Sequence, residues 1–251
     1  MRTLKMLGAH MQATTQVFLR NPLWVFFSAV LPGFFLAIMM LMFGHQAALA
    51  DHGARMTAGV FLLSGVMVYA IITTSFVTLS SVVATQRDAG VLKRFMASPL
   101  PMGVYVAAKI GFAVMISVIV TLVTILVGVG VYHIPLVFHT GATLLIATVL
   151  GSGSFAALGL VVAAWLPNAT TVFVAANALS LPLLFASNIF IPFHSPVWLS
   201  WLPVKPLGVA IHAAMLGTGL SSARVWHALG LLLAWGFIAT LGAGWSFRRV
   251  R

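Results

Sequence analysis

Residues 23–43 read LWVFFSAVLPGFFLAIMMLMF, a run of 21 residues without one charged side chain. An α-helix rises about 1.5 Å per residue, so this run extends about 31 Å, which matches the hydrocarbon thickness of a bilayer. Five further apolar stretches follow at residues of about 57–84, 104–132, 139–165, 170–191 and 225–247. The sequence therefore predicts an all-α integral membrane protein that forms a single transmembrane domain with six transmembrane helices.

The composition of the whole chain supports this class. Hydrophobic residues make up 61% of the sequence and charged residues 6%, against about 25% charged residues in soluble domains. A soluble fold would need more polar surface to cover its core, whereas hydrocarbon itself solvates a lipid-facing helix. There is no cysteine, which excludes a thiolate metal site and a cysteine nucleophile.

The basic residues predict how the spans are oriented. With the N-terminus placed in the cytoplasm, ten of the thirteen Lys and Arg residues fall on the cytoplasmic side, Lys109 among them, as the positive-inside rule requires. The other three are Arg55, Lys205 and Arg224. Both termini are then predicted to be cytoplasmic. Contact of the basic flanks with anionic lipid explains the net charge of +11, so membrane lipids are expected partners and nucleic acid is not.

Two segments lie outside the predicted spans. Residues 1–21 place Leu7, Met11 and Phe18 near helical spacing, which predicts an amphipathic helix at the membrane interface; the alternative is a partly ordered tail. Residues 192–224 form an external hairpin that four prolines prevent from spanning as one helix. We expect two short pieces that dip partway into the membrane, and an ordinary interfacial loop is the alternative.

The chain carries no recognisable catalytic constellation. It has no G-x-x-x-x-G-K-[S/T] loop to hold a phosphate, its two carboxylates are Asp51 and Asp88, and its histidines lack metal-site spacing. We expect neither an enzyme nor a chain that binds a cofactor or metal. The span centres also lack charged residues, which disfavours an ion-coupled transporter, because such proteins keep an ionisable group at depth.

Small and polar residues inside the spans are the candidates for helix packing. Five glycines could permit close helix approach, namely Gly128, Gly130, Gly151, Gly153 and Gly159. Asn177 stands out among the polar residues at depth, and either an interhelical hydrogen bond or contact with a substrate could explain it. The sequence assigns no substrate-binding residue.

The most informative segment is 86–100, QRDAGVLKRFMASPL, which holds four of the fifteen charges of the chain. Read as a helix from about Asp88 to Ala97, it places four apolar side chains on one face, and Asp88 suits the positive end of the helix dipole. Pro99 then ends the helix. Periodicity allows two interpretations: a short amphipathic cytoplasmic helix, or a loop whose charge sets the topology.

This segment resembles the cytoplasmic signature of type-2 ATP-binding cassette (ABC) transporter permeases. The matching positions are Arg87, Asp88, Gly90, Leu92, Lys93, Arg94, Ser98 and Pro99. Val91 stands where Thr is usual, and Gln86 replaces a frequent acid. A second resemblance, to the fifth span and the external hairpin of that family, is carried by Asn177, Pro182, Phe190-Ile191-Pro192, Pro196-Val197-Trp198-Leu199 and Lys205-Pro206-Leu207.

The resemblance implies the permease subunit of an ABC exporter in a bacterial or archaeal cell membrane. Two copies of a separate ATPase subunit would use ATP and Mg, and a second permease copy would complete a homodimer. Residues like 87–99 would form a coupling helix that docks on the ATPase. Its implied contact face is Leu92, Phe95 and Met96, and its implied polar contacts are Arg87, Asp88 and Lys93.

The expected cargo is amphiphilic or hydrophobic: a drug, a lipid or a glycan. Two alternatives remain open at this point. One is an ion-coupled secondary transporter or channel that acts alone, and the other is a membrane scaffold that transports nothing.

Overall fold

The computed structural model describes residues 2–43, 49–51, 54–56, 58–91, 102–134, 140–187, 189–190 and 197–249. Up to residue 91 the elements are α1 (Arg2–Leu19), α2 (Pro22–Val25), a π-helix π1 (Phe26–Val30), α3 (Leu31–Phe43), β1 (Leu49–Asp51), β2 (Ala54–Met56), α4 (Ala58–Ile72), a π-helix π2 (Thr73–Thr78) and α5 (Leu79–Asp88). From residue 102 they are α6 (Met102–Tyr132), α7 (Gly141–Trp165), α8 (Ala169–Ala186), a 3-10 helix (Val197–Trp201), α9 (Val204–Met215), a second 3-10 helix (Gly219–Ser221) and α10 (Ala223–Arg249).

Several helices have the length and composition of membrane spans. Among the described residues, four are long and apolar enough to cross a membrane: Ala58–Asp88, Gly103–Tyr132, Gly141–Trp165 and Ala223–Ser246. Shorter apolar helices occupy Leu31–Phe43, Ala169–Phe185 and Val204–Met215. Since α2, π1 and α3 follow one another without a break, helical backbone also covers the first predicted stretch, 23–43. Six spans and cytoplasmic termini stay predictions.

The helix formed by α4, π2 and α5 is the centre of the bundle. Nearly every residue from Ala58 to Ala84 is buried, and α3, α6, α7 and α9 pack around it. Its apolar side chains, such as Phe61 and Leu63, form the main core together with residues of those neighbours. A movement of this helix would therefore displace side chains in most of the bundle.

The short connection between α7 and α8 has a local cause. Pro167 disfavours helical backbone at the residue before it, and Leu166 is extended, with φ −87° and ψ 146°. Asn168 then caps α8, because its side chain accepts a hydrogen bond from the backbone N–H of Thr171. The two helices are thereby separated by three residues at one end of the bundle.

The segment after α8 contains short helical elements, and the predicted external hairpin stays a prediction. In 192–224, the described residues form the two 3-10 helices and α9. The side chains of Leu207 and Ile211 in α9 are fully buried, since α9 packs on α4, α7 and α10. The hairpin of β1 and β2, with Leu49 opposite Met56, was not predicted.

The five glycines singled out in the sequence divide into two groups. A Cβ at Gly128 would lie 2.8 Å from the Leu63 side chain, one at Gly151 would lie 2.5 Å from Leu207, and one at Gly159 would lie 2.9 Å from the carbonyl oxygen of Phe76. At Gly130 and Gly153 no neighbour is nearer than 4.0 Å. Three of the five positions therefore have close helix contacts.

Replacing Gly159 with alanine is expected to destabilise the bundle. The Phe76 carbonyl belongs to the backbone of π2 and cannot rotate away, so the added methyl forces α7 and the central helix apart, at about 1–3 kcal/mol. Gly153→Ala is the matched control in the same helix, and there the higher helix propensity of alanine stabilises by about 1 kcal/mol or less. Thermal unfolding in detergent measures both, and equal midpoints would contradict the close contact.

Candidate functional site

The candidate site lies at the end of α5, where the structure describes three residues of the predicted coupling set: Arg87, Asp88 and Gly90. The other seven lie outside the described residues; they are Leu92, Lys93, Arg94, Phe95, Met96, Ser98 and Pro99. The docking face assigned to them stays a prediction. What the structure shows is how the beginning of the segment is held.

The predicted start of a helix at Asp88 is wrong. Asp88 is instead the last residue of α5. The backbone N–H of Ala89 donates to Thr85 O, that of Gly90 donates to Arg87 O, and Gly90 has a φ of 73°. A glycine in this left-handed conformation just after a helix is a common termination signal, because a Cβ is disfavoured there.

Arg87 closes the C-terminal end of α7. Its Nη1 donates to the carbonyl oxygens of Ala163 at 2.6 Å and Leu166 at 2.7 Å. Carbonyls in the last turn of a helix have no partner within the helix, and the negative end of the helix dipole favours a cation there. The Arg87 side chain is 14% exposed, so the contact is largely shielded from solvent.

Asp88 holds the beginning of α8. Its Oδ1 accepts from Nη2 of Arg87 at 3.1 Å, and its Oδ2 accepts from the backbone N–H of Ala169 at 2.7 Å. A carboxylate is favoured at the positive end of a helix dipole. The sequence pattern predicts Asp88 at the N-terminus of the helix that follows it, whereas the structure places its carboxylate at the N-terminus of a helix about eighty residues further along the chain.

These contacts define the Arg87–Asp88 clamp: Arg87 on the end of α7 and Asp88 on the start of α8. The pair lies at the end of the central helix, immediately before segment 91–100. A displacement of this segment would thus be transmitted to three helices at once.

A second cluster at the same end involves Lys109 of α6. Its Nζ donates to Gln86 Oε1 at 2.7 Å and to Thr14 Oγ1 of α1 at 3.0 Å, and it lies 5.4 Å from the centre of the Tyr105 ring. The Lys109 side chain is buried. We call Thr14, Gln86 and Lys109 the Lys109 junction; it connects α1, α5 and α6.

The helix α1 therefore packs against α6 of the bundle. Phe18 is buried and meets Phe112 edge to face, with ring centres 5.6 Å apart. The sequence predicts Lys109 only as one of the basic residues on the cytoplasmic side. The signal that this prediction missed is the stripe of Tyr105, Lys109, Phe112 and Ile116, which repeats at helical spacing and is buried throughout.

Removing Gln86 is expected to destabilise the protein more than removing Lys109 itself. In Gln86→Leu the buried ammonium keeps Thr14 but loses its shorter hydrogen bond, and leaving a buried charged donor without that partner costs about 3 kcal/mol or more. In Lys109→Met no charge remains to be solvated, so the loss is about 1–3 kcal/mol. Chemical unfolding in detergent ranks the two variants, and the reverse order would show that the junction contributes little.

The other candidate polar residue has a local role. Asn177 Nδ2 donates to the carbonyl oxygen of Phe173, one turn earlier in α8, at 2.8 Å. The interhelical hydrogen bond considered for Asn177 is therefore replaced by one within its own helix. Among the described residues, no group of three potential metal ligands occurs.

A family model described as ABC-2 type transporter matches residues 7–217, a range that runs from α1 to just beyond α9 and contains both the Arg87–Asp88 clamp and the Lys109 junction. No curated protein matches the chain significantly.

Proposed function

Because the chain belongs to the ABC-2 type transporter family, we propose that it is the permease subunit of an ATP-driven exporter. Membrane domains of this family are the non-catalytic membrane subunits of ABC transporters and associate with an ABC ATPase subunit. The proposal adds that residues 86–100 dock on that ATPase. In this arrangement ATP and Mg are used by the partner, and this chain contributes the translocation path.

The observation that carries the proposal is the Arg87–Asp88 clamp. A motor docked on segment 91–100 would act on the end of the central helix, and the clamp connects that end to α7 and α8. The Lys109 junction extends the connection to α1 and α6. Closure of the ATPase would then move the helix ends together, as a rigid-body transition requires.

The wider assembly follows from the same proposal. The clamp end faces the cytoplasm, where the excess of basic residues belongs. Two copies of the ATPase would engage two copies of this chain in a homodimer, in the cell membrane of a bacterium or archaeon. The cargo is amphiphilic or hydrophobic, a drug, lipid or glycan, and the direction of transport is outward.

A secondary transporter acting alone is the main alternative, and Lys109 is the group it would use. A buried lysine in an apolar helix is the kind of residue that couples proton movement. Its location disfavours this role, because Lys109 lies near the start of α6 with its ammonium bound to side chains of α1 and α5. A scaffold that transports nothing would need no such connection between helices.

A pull-down from native membranes tests the proposal. The tagged chain is solubilised in mild detergent, and mass spectrometry identifies whatever co-purifies. A stoichiometric subunit with a G-x-x-x-x-G-K-[S/T] loop is expected, and the same tag on a Leu92→Asp chain is expected to recover less of it. A chain that purifies alone and moves solute down an ion gradient in vesicles would contradict the proposal.

A further inference from the structure

A large cavity opens at the other end of the bundle from the Arg87–Asp88 clamp. It lies between α9 and α10, has a volume of about 790 Å³, and is lined by residues that include Lys205, His212, Thr218, Ser222, Arg224 and His227. Trp165, at the clamp end of α7, donates to Ser246 near the end of α10. The cavity surrounds the start of α10 and is therefore about 30 Å away along that helix.

The lining of this cavity is positively charged. Lys205 and Arg224 both line it and carry permanent positive charges. The chain has two carboxylates in all, Asp88 in the clamp and Asp51 in β1, and none of the described lining residues is acidic. Two cations on one concave surface favour an anionic ligand.

The donor groups suit a phosphate. The guanidinium of Arg224 presents a planar fork that matches two phosphate oxygens, and the ammonium of Lys205 acts as a compact point charge. The hydroxyl of Ser222 also lines the cavity and can donate a hydrogen bond. Arg224 is exposed and Lys205 is half-buried, so a ligand can reach both without an opening of the fold.

The surroundings indicate the depth of the cavity in the membrane. Trp198, Trp201 and Trp226 are exposed at this end, by 64%, 59% and 60%. Tryptophan is enriched at the level of lipid headgroups. The cavity wall also contains apolar side chains, among them Leu216 and Leu231, which suit the hydrocarbon part of an amphiphile.

We propose that this cavity binds the phosphate of an anionic phospholipid headgroup, with Lys205 and Arg224 as its ligands and the apolar wall against the acyl chains. The inference goes beyond the proposed function and does not depend on coupling to an ATPase. It identifies a lipid site at the predicted outer surface, about one membrane thickness from the clamp.

Native mass spectrometry of the full chain in neutral detergent tests this site. The probes are phosphatidylglycerol, phosphatidylcholine and inorganic phosphate, each titrated separately. Phosphatidylglycerol is expected to bind most tightly, and the double variant Lys205→Gln, Arg224→Gln is expected to weaken it about a hundredfold, because each of the two lost charged contacts costs about tenfold or more. Lys205→Arg keeps the charge and is expected to bind nearly normally.

Arg20→Gln is the matched control. Arg20 is an exposed cation just after α1 and does not line the cavity, so its removal is expected to leave lipid binding unchanged. Equal binding of the two lipids, or a double variant that binds like the wild type, would overturn the proposal. Inorganic phosphate that binds as tightly as phosphatidylglycerol would overturn the lipid assignment, because the ligand would then be a free anion.

Discussion

Replacing Arg87 with methionine is expected to raise amide hydrogen exchange about a hundredfold at the connection between α7 and α8, since two charged hydrogen bonds are lost. The amides that report it are those of Leu166, Ala169, Thr171 and Val172, each of which donates within or next to the Arg87–Asp88 clamp. The end of the central helix is then no longer connected to α7. Under the proposed function, less ATPase subunit co-purifies, because the start of the docking segment 91–100 is no longer held in place by Arg87.

Two further variants separate this effect from loss of charge. Arg20→Met removes an exposed cation just after α1 and is expected to change neither exchange nor ATPase recovery. Arg87→Lys keeps the positive charge but presents its donors from a single nitrogen instead of the planar fork of a guanidinium, so an intermediate value is expected. Wild-type exchange in Arg87→Met would show that the clamp does not hold α7 and α8.

Replacing Gly90 with proline is expected to have the second large effect on recovery of the ATPase subunit, because of the backbone conformation at this position. Its φ of 73° is closed to proline, which is restricted to about −65°, and proline would also remove the N–H that donates to Arg87 O. Gly90→Pro is therefore expected to redirect segment 91–100 and to lower recovery of the ATPase subunit about tenfold or more, from about 1–3 kcal/mol of strain and a lost hydrogen bond.

Gly90→Asn is the control that isolates backbone conformation. A Cβ at position 90 would meet nothing within 4 Å, so space does not restrict the side chain. Asparagine accepts positive φ more readily than other residues with a side chain, and near-normal recovery is expected, with Gly90→Val in between. Equal recovery for all three, measured by quantitative mass spectrometry of the complex, would mean that the turn at Gly90 does not direct the docking segment.

The apolar stretches identified helices well because the pattern is local. A long apolar run such as 104–132 predicts a helix without reference to the rest of the chain, and α6 covers Met102–Tyr132. The helix that contains the stretch 57–84 continues beyond it through four polar or charged residues to Asp88. Nothing in those residues stops a helix, and the first stop signal is Gly90.

The contacts of the candidate site could not be read from the sequence in the same way. Arg87 and Asp88 were identified, but their partners lie about eighty residues away, at Ala163, Leu166 and Ala169. In the local sequence, the only helix N-terminus near Asp88 is that of its own segment. The folded chain instead brings Asp88 to the start of α8. Lys109 was missed for a related reason, because its partners come from α1 and α5.

The tightest test of the central claim is a cross-link from position 91. The chain has no cysteine, so Val91→Cys gives a single thiol at a site that is 47% exposed, directly after Gly90. Ser221→Cys supplies an exposed control at the opposite end. With a short thiol-to-amine reagent in native membranes, the account predicts that Val91→Cys cross-links to a subunit with a G-x-x-x-x-G-K-[S/T] loop, and that Ser221→Cys does not. If Val91→Cys gave no such product while the thiol remained reactive, the claim that segment 86–100 docks on an ATPase would be contradicted.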